Sequence, residues 1–254
     1  MQPLISVIIP VYNHAHTLKR SLDSIFNQTH RPLEVIIVND GSTDNFAEVV
    51  KTVIPSEAVA DEGSIHIKII SQPNLGAPTA RNNGFAISKG DYVIFWDADT
   101  LANPQMLEKM FAYLQKYPNA SYAYSQFKFG WKKIKSSNFE IEKLKKFNYI
   151  DVTSLIRRSA ISPPYQGGVG VVAEAGPFDA RLKRFQDWDL WLTLLSQNKT
   201  GIFIPEVLYE KVVGSREGIS TWLPSFFYQL HWKTKEVKKY EAAKQIILKK
   251  HHLS

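Results

Sequence analysis

The chain has 254 residues, 44% hydrophobic and 22% charged, which excludes disorder as an overall reading and leaves room for one large α/β domain with an appendage. The absence of cysteine excludes a disulfide scaffold, Cys-ligated zinc, iron–sulfur clusters and a thiol nucleophile together. The formal net charge of +7 is unevenly placed: Lys128–Lys146 and His231–Ser254 each hold seven Lys and two Glu, which leaves −3 for the other 211 residues.

Residues Met1–Val7 lack the basic start and long apolar run of a secretory leader. Leu4–Val11 is apolar and rich in β-branched residues, and reads as a buried strand ending before Tyr12-Asn13. A helix follows from about Thr17, with Leu18, Leu22, Ile25 and Phe26 at helical spacing. Leu33–Asn39 is a second buried strand, halted by Asp40-Gly41-Ser42, and Asp44 is placed to cap the helix that carries Phe46, Val49, Val50 and Val53. Pro55–Gly63 reads as a loop, Ile65–Ser71 as a third strand, Ala77–Ser88 as a third helix, and Tyr92–Trp96 as a fourth strand. Beyond Pro104 come an amphipathic helix over Met106–Tyr117, an alternating strand over Tyr122–Phe129 and a basic stretch of undecided form over Phe139–Phe147. A Gly/Pro-rich loop over Pro163–Gly176, a helix over Asp187–Leu195 and a strand over Ile202–Val213 complete the body.

Strands alternating with single helices predict right-handed βαβ units and a Rossmann-like, mostly parallel sheet flanked by helices, with ligands at the carboxyl ends of the strands. The polar clusters fall at those ends. Asp97-Ala98-Asp99 places two carboxylates one residue apart just past a buried strand, where their mutual repulsion is relieved by a hard divalent cation; alone, the pair also fits a solvated turn. Asp40 is not needed for capping, and a carboxylate there suits the N–H donor of a nucleobase edge. Arg81 offers a guanidinium fork for phosphate oxygens, or is a surface arginine. Asp187 and Asp189 stand at a helix start, where carboxylates are stabilising in any case.

Taken in order, Pro10-Val11-Tyr12-Asn13, Asn39-Asp40-Gly41-Ser42-Thr43-Asp44, Ala80-Arg81-Asn82-Asn83-Gly84, Gly90-Asp91-Tyr92, Asp97-Ala98-Asp99 and Gln186-Asp187-Trp188-Asp189-Leu190-Trp191 resemble the family 2 glycosyltransferases of the GT-A fold over roughly residues 3–215. The resemblance implies a nucleotide-sugar donor, a Mn²⁺ or Mg²⁺ ion and inversion at the anomeric carbon. It implies Pro10, Tyr12 and Asn13 around the nucleoside, Asp40 on the base, Arg81 and Asp97 toward the ribose and diphosphate, Asp99 with Asp97 on the metal, and Asp187 as general base. Two departures stand out. Gln186 replaces a frequent acidic residue, which is expected to remove one influence raising the pKa of Asp187. The segment Val213–Ser220 has no histidine where many relatives carry one, so Arg216 is the expected diphosphate clamp.

The implied organisation is a transferase domain over 1–215, with a donor half (1–100) and an acceptor half (101–215), then a basic aromatic tail over 216–254. In the tail, Trp232, Val237, Tyr240, Ala243 and Ile247 share a helical face, which reads either as packed on the body or as lying on anionic lipid. The expected partners are a UDP-sugar above other donors, a glycan or lipid-linked acceptor and an anionic membrane surface, with no nucleic acid; no helix-turn-helix accompanies the charge. The expected location is cytoplasmic, including the inner face of a membrane. A sugar-nucleotide-binding protein with little transfer activity is the first alternative, and a nucleic-acid-binding protein using the two lysine-rich segments a more distant second. A dinucleotide-dependent dehydrogenase is disfavoured, since no GxGxxG follows the first strand.

Overall fold

The computed structural model describes residues 2–53, 65–134, 136–161, 176–212 and 235–253. The expected loop over 55–63, the expected loop over 163–176 except for Gly176, Arg216 and the tail aromatics before 235 lie outside the described residues.

The donor half is built as its apolar periodicity dictates. Strands β1 (Ile5–Val11), β2 (Leu33–Asp40), β3 (Ile65–Gln72) and β4 (Tyr92–Phe95) pair in parallel in the order β3-β2-β1-β4. Helices α1 (Ala15–Phe26), α2 (Phe46–Val53) and α3 (Ala77–Ile87) make the crossovers. Because strand side chains alternate between faces, Ile5, Val7, Ile9 and Val11 pack with Leu18, Leu22 and Ile25 of α1 on one side, while Ile8, Ile36 and Val38 pack with Ala80 of α3 on the other. Each such fully buried Ile, Leu or Val contributes about 1.5–3 kcal/mol.

The sheet continues without a break into the acceptor half. Its additional strands are β5 (Thr100–Ala102), β6 (Ala120–Phe129), β7 (Lys132–Ile134), β8 (Leu155–Arg157) and β9 (Thr200–Lys211), and the full order is β3-β2-β1-β4-β8-β6-β9-β5, with β7 paired to β6. β8 runs antiparallel to both β4 and β6, β5 runs antiparallel to β9, and the long β6–β9 pair is parallel. Helix α4 (Met106–Lys116) covers the α1 face, whereas α5 (Ile141–Lys146), α6 (Gln186–Ser196) and α7 (Lys235–Lys250) bury Leu144, Trp188, Trp191 and Ile247 on the α3 face.

Two details correct the sequence expectations. Helix α1 begins at Ala15 rather than Thr17, and Asp44 does not cap α2: its carboxylate accepts the Ala15 N–H at 2.9 Å, at the start of α1. Neighbouring strands β1 and β2 bring their loops side by side, so the cap acts across space. The tail helix α7 is packed on the body, with Val237 and Ile247 fully buried and the Tyr240 ring 5.0 Å from that of Phe185. No helix among the described residues is long and apolar enough to cross a membrane.

Candidate functional site

The carboxyl ends of β2, β1 and β4 form one rim, and hydrogen bonds stitch its loops together. Asn13, held at φ 53°, donates its N–H to Ser42 Oγ at 3.1 Å and accepts the Thr43 N–H at 2.8 Å. Gly41, at φ 73°, approaches so closely that a Cβ would lie 2.8 Å from the Asn74 backbone nitrogen, which demands glycine on both counts. Asp40 is buried, and its carboxylate accepts from Gln72 Nε2 (2.7 Å), Leu75 N–H (2.8 Å) and Gly76 N–H (2.9 Å). It thereby fixes the β3–α3 loop, and of its roughly four acceptor directions three are taken. Pro10 is paired with Val38 inside the sheet, and Tyr12 stands at the strand end with 44% of its surface exposed.

The Asp97–Asp99 turn is anchored by Trp96, whose buried indole N–H reaches Ser21 Oγ at 3.0 Å and the Thr100 carbonyl at 3.2 Å. Asp97 is gripped from both sides: Oδ1 receives Arg81 Nη2 at 2.8 Å and Oδ2 receives Lys211 Nζ at 2.8 Å. Asp99 is buried, and its carbonyl accepts the Val212 N–H at 3.0 Å. His14 lies where the charges of Asp99, Asp97 and Asp44 reach it. Burial nevertheless holds its pKa below 6.5, and its enclosed Nδ1 has no hydrogen-bond partner among the described residues.

From Asp97 the polar network crosses into the acceptor half. Lys211, 2% exposed at the end of β9, also meets Asp151 Oδ2 at 2.7 Å, and Tyr209 and Thr153 belong to the same cluster. Arg81, mostly buried in α3, extends a second arm to Gln186 Oε1 at 2.9 Å, and its guanidinium lies 5.3 Å from the Phe178 ring centre. The segment 176–179 is locked to α3 by a reciprocal pair: Asn82 Nδ2 donates to the Phe178 carbonyl at 2.7 Å, and the Phe178 N–H returns to Asn82 Oδ1 at 3.0 Å. Gly176 permits this approach, since a Cβ there would fall 2.3 Å from Asn82 Oδ1.

Asp187, in the first turn of α6, is half-buried and accepts Asn148 Nδ2 at 2.7 Å and the Trp188 N–H at 3.0 Å. Its pKa is raised to about 6, by burial first and by the charge of Asp151 second, against the opposing pull of Lys211 and Arg81. Gln186 contributes no charge here, and a carboxylate 36 positions away in the chain supplies an influence of the kind an adjacent one would have given. Gln186 instead steadies Arg81. Asp189 faces away from this network, into the body, where it meets Lys250 Nζ at 2.8 Å and His251 Nε2 at 2.7 Å.

Arg81, Asp97, Asp99, Asp187 and Gln186 are thus gathered at one place, and Asp40, Tyr12 and Asn13 line the same rim. Lys211, Asp151, Asn148 and His14 complete it without having been singled out in the sequence. Among the described residues, no group of three or more His, Cys, Asp or Glu is assembled that could hold a metal by itself.

A family model described as Glycosyl transferase family 2 matches residues 6–162. An uncharacterized glycosyltransferase of Methanocaldococcus jannaschii is 27% identical over 248 residues, which covers 92% of this chain and 81% of that protein. The uncharacterized glycosyltransferase YibD of Escherichia coli is 41% identical over 106 residues, 42% of this chain and 29% of its own length, so the match spans less than a third of that relative. Among solved structures, the mannosyltransferase PcManGT from Pyrobaculum calidifontis in complex with GDP-Man and Mn²⁺ superposes with a TM-score of 0.62 at 16% identity, over 97% of this chain and 70% of that one. TarS of S. aureus in complex with UDP-GlcNAc gives 0.63 at 18% identity, over 96% and 70%. At such identities the likeness is one of architecture, and the architecture is GT-A.

Proposed function

The chain belongs to glycosyl transferase family 2, and from that premise we propose that it transfers a sugar, with inversion, from a nucleoside diphosphate donor to a hydroxyl of a glycan or lipid-linked acceptor. A UDP-sugar is the favoured donor and surface polysaccharide or glycolipid synthesis the favoured setting. The observation that carries this reading is the unbroken polar path from the Arg81–Asp97 pair through Lys211 and Asp151 to the neighbourhood of Asp187. It sets a phosphate-binding guanidinium and a carboxylate of raised pKa within one site.

In this reading Asp187 takes the proton of the acceptor hydroxyl as its oxygen bonds to the anomeric carbon. The bond from that carbon to the diphosphate oxygen breaks on the opposite face, and its electron pair leaves with the nucleoside diphosphate. A carboxylate with a pKa of about 6 is matched to this task near neutrality. Arg81, held in orientation by Asp97 and Gln186, meets the negative charge that grows on the departing phosphate. Asp151 and Lys211 act through Asp187 and Asp97 and are positioning residues. Tyr12 and Asn13 flank the nucleoside, and Asp40 offers its remaining acceptor direction to the base. The role given to Arg216 rests on sequence alone.

A divalent cation suits the donor set. Magnesium and manganese are commonly bound through one or two carboxylates, with the rest supplied by substrate phosphates and water, and this site has two carboxylates beside a neutral histidine whose Nδ1 is unsatisfied. Asp99 would be its main ligand, since both oxygens of Asp97 are already taken by cations; it would supply charge neutralisation of the diphosphate. The bound donors of the two neighbours, GDP-Man with Mn²⁺ and UDP-GlcNAc, support a nucleotide-sugar donor of this kind.

The test is a panel of nucleotide sugars scored by thermal stabilisation with and without Mn²⁺, followed by transfer assays on each hit. A UDP-sugar is expected to stabilise most. Asp187→Asn should lower turnover roughly a hundred- to ten-thousand-fold, the range for a general base, while keeping the donor-induced thermal shift. Unchanged turnover would remove Asp187 as the base, and a panel without a single stabilising donor would overturn the reading.

A further inference from the structure

Strands β6 and β7 form a tight hairpin whose turn is Gly130-Trp131. Trp131 is 94% exposed, the most exposed large hydrophobic side chain among the described residues. Behind it the hairpin register sets Lys128 directly opposite Lys133. Both lysines are exposed; Lys128 has Glu210 of β9 as its register neighbour on the other side, and Lys133 lies on the outer strand of the hairpin. Like charges facing each other across a hairpin repel, and Glu210 offsets that repulsion at Lys128 only, so the tip keeps a net positive charge. Lys132 adds a third positive charge beside the indole.

The hairpin is also placed at the mouth of the site. Phe129, the last residue of β6, is the register partner of Lys211, and the Gly130 N–H donates to the Lys211 carbonyl at 3.2 Å. Trp131 thus follows the register partner of Lys211 by two residues, through the turn, and is within roughly 10 Å of its backbone; the Lys211 side chain grips Asp97 and Asp151.

We infer that the β6–β7 tip docks the protein on an anionic bilayer, with the Trp131 indole at the level of the lipid headgroups and Lys128 and Lys133 on their phosphates. The shape and chemistry fit a planar lipid surface. The indole is almost wholly exposed at the hairpin turn, and tryptophan is the residue that favours the membrane–water boundary. Cationic shoulders supply the attraction to anionic lipid. Docked in this way, the site opens toward the bilayer, so a lipid-linked acceptor would be presented to Asp187 at the surface; that part rests on the transferase reading.

The measurement is co-sedimentation of the full chain with vesicles of phosphatidylcholine alone and of an equimolar mixture with phosphatidylglycerol. Binding to the mixed vesicles at low salt is expected, with none to phosphatidylcholine alone. Trp131→Ala should weaken it about ten-fold, for which 1.4 kcal/mol is the equivalent, and Lys128→Gln and Lys133→Gln roughly five-fold each. Failure to bind mixed vesicles, or equal binding by Trp131→Ala, would overturn the inference. So would a Trp131→Ala variant that partitions normally but shows a raised KM for a soluble oligosaccharide, which would assign the indole to sugar stacking. Donor-induced thermal stabilisation, measured without vesicles, should be the same in Trp131→Ala and the parent chain. It confirms that the variant is folded, and its absence in both would count against the transferase reading alone.

Discussion

Asp187 carries a thermodynamic penalty that its proposed role explains. Its pKa in the folded chain is about 6, against 3.8 for an ordinary aspartate, because burial and Asp151 disfavour the charged form. A carboxyl whose pKa rises on folding adds stability that is complete below its unfolded value and is lost as the pH rises through its folded value. At pH 7 and above the ionised group therefore works against the fold. Asp187→Asn is expected to raise stability there by about 1–2 kcal/mol, a few degrees in Tm, while removing most of the turnover. Thermal unfolding at pH 5 and pH 8 checks the sign, with the gain present at the higher pH and shrinking at the lower. In the parent enzyme the acid limb of the kcat/KM profile should rise through about pH 6. This carboxylate was legible in the sequence because it sits in a dense local pattern with Gln186, Trp188 and Asp189. Lys211 was not: it ends an apolar strand like any solvent-facing lysine, and its partners lie 114 and 60 residues away. Asp151 and Asn148 were hidden in the same way, since nothing beside them in the chain marks the pocket they share.

At the scale of elements, α6 stands out because its two faces do different work. Its first turn presents Gln186 and Asp187 to the polar network, and Asp189 on the inner face is the socket for the end of α7. Lys250 binds both Asp189 and Asp179 at 2.8 Å, and His251 closes on the other oxygen of Asp189. Phe185, which precedes α6 at φ 60° and is therefore in the left-handed region, packs between Trp188 and Tyr240. The approach to Asp187 is thus braced by the C-terminal helix. Asp189→Asn should destabilise the fold by about 2–3 kcal/mol, as expected when one partner of a buried charge pair is neutralised. Its kcat should fall more than its donor affinity, read by urea unfolding together with donor-induced thermal shifts. Long periodic elements such as β1, β2, α1 and α4 were readable from apolar spacing alone. Strands β5, β7 and β8 have three residues each, too few to show any period, and they exist because β9, β6 and β4 offer them an edge.

For the molecule as a whole, the titrating groups point to weakness in acid. Burial holds His14 and His30 below 6.5, so folding resists their protonation and stability is lost as the pH falls below 6.5. Burial also pushes the Glu34 carboxyl up, but bonds from Lys68, the Lys89 N–H and Ser6 outweigh it and leave the net pKa lowered; Asp179 is held lower still by Arg181, with Lys250 assisting. Lowered carboxylates contribute stability above their unfolded values and lose it as the pH falls through their folded ones. Between about pH 7 and pH 5 the loss from the two histidines is opposed by the gain from protonating Asp187, so Tm should fall steeply only below about pH 4.5, in a calorimetric series at constant ionic strength. A Tm at pH 3 undiminished from its value at pH 6 would contradict this account. The uneven charge first seen in the sequence takes its place at this scale too: Lys128 and Lys133 of the β6–β7 hairpin are exposed, whereas Lys250 of the tail is used inside the fold.

The docking of Lys250 on Asp189 also orders events during synthesis. The two residues are 61 positions apart, so at translation speeds of roughly 5–20 residues per second the helix bearing Asp187 leaves the ribosome several seconds before its brace. Through that interval α6 is held by its bonds to Arg81, Leu144 and Ile150 but lacks the brace from Lys250 and His251. Catalytic competence would then arrive late and abruptly, with the emergence of His251, rather than accumulating as the sheet assembles.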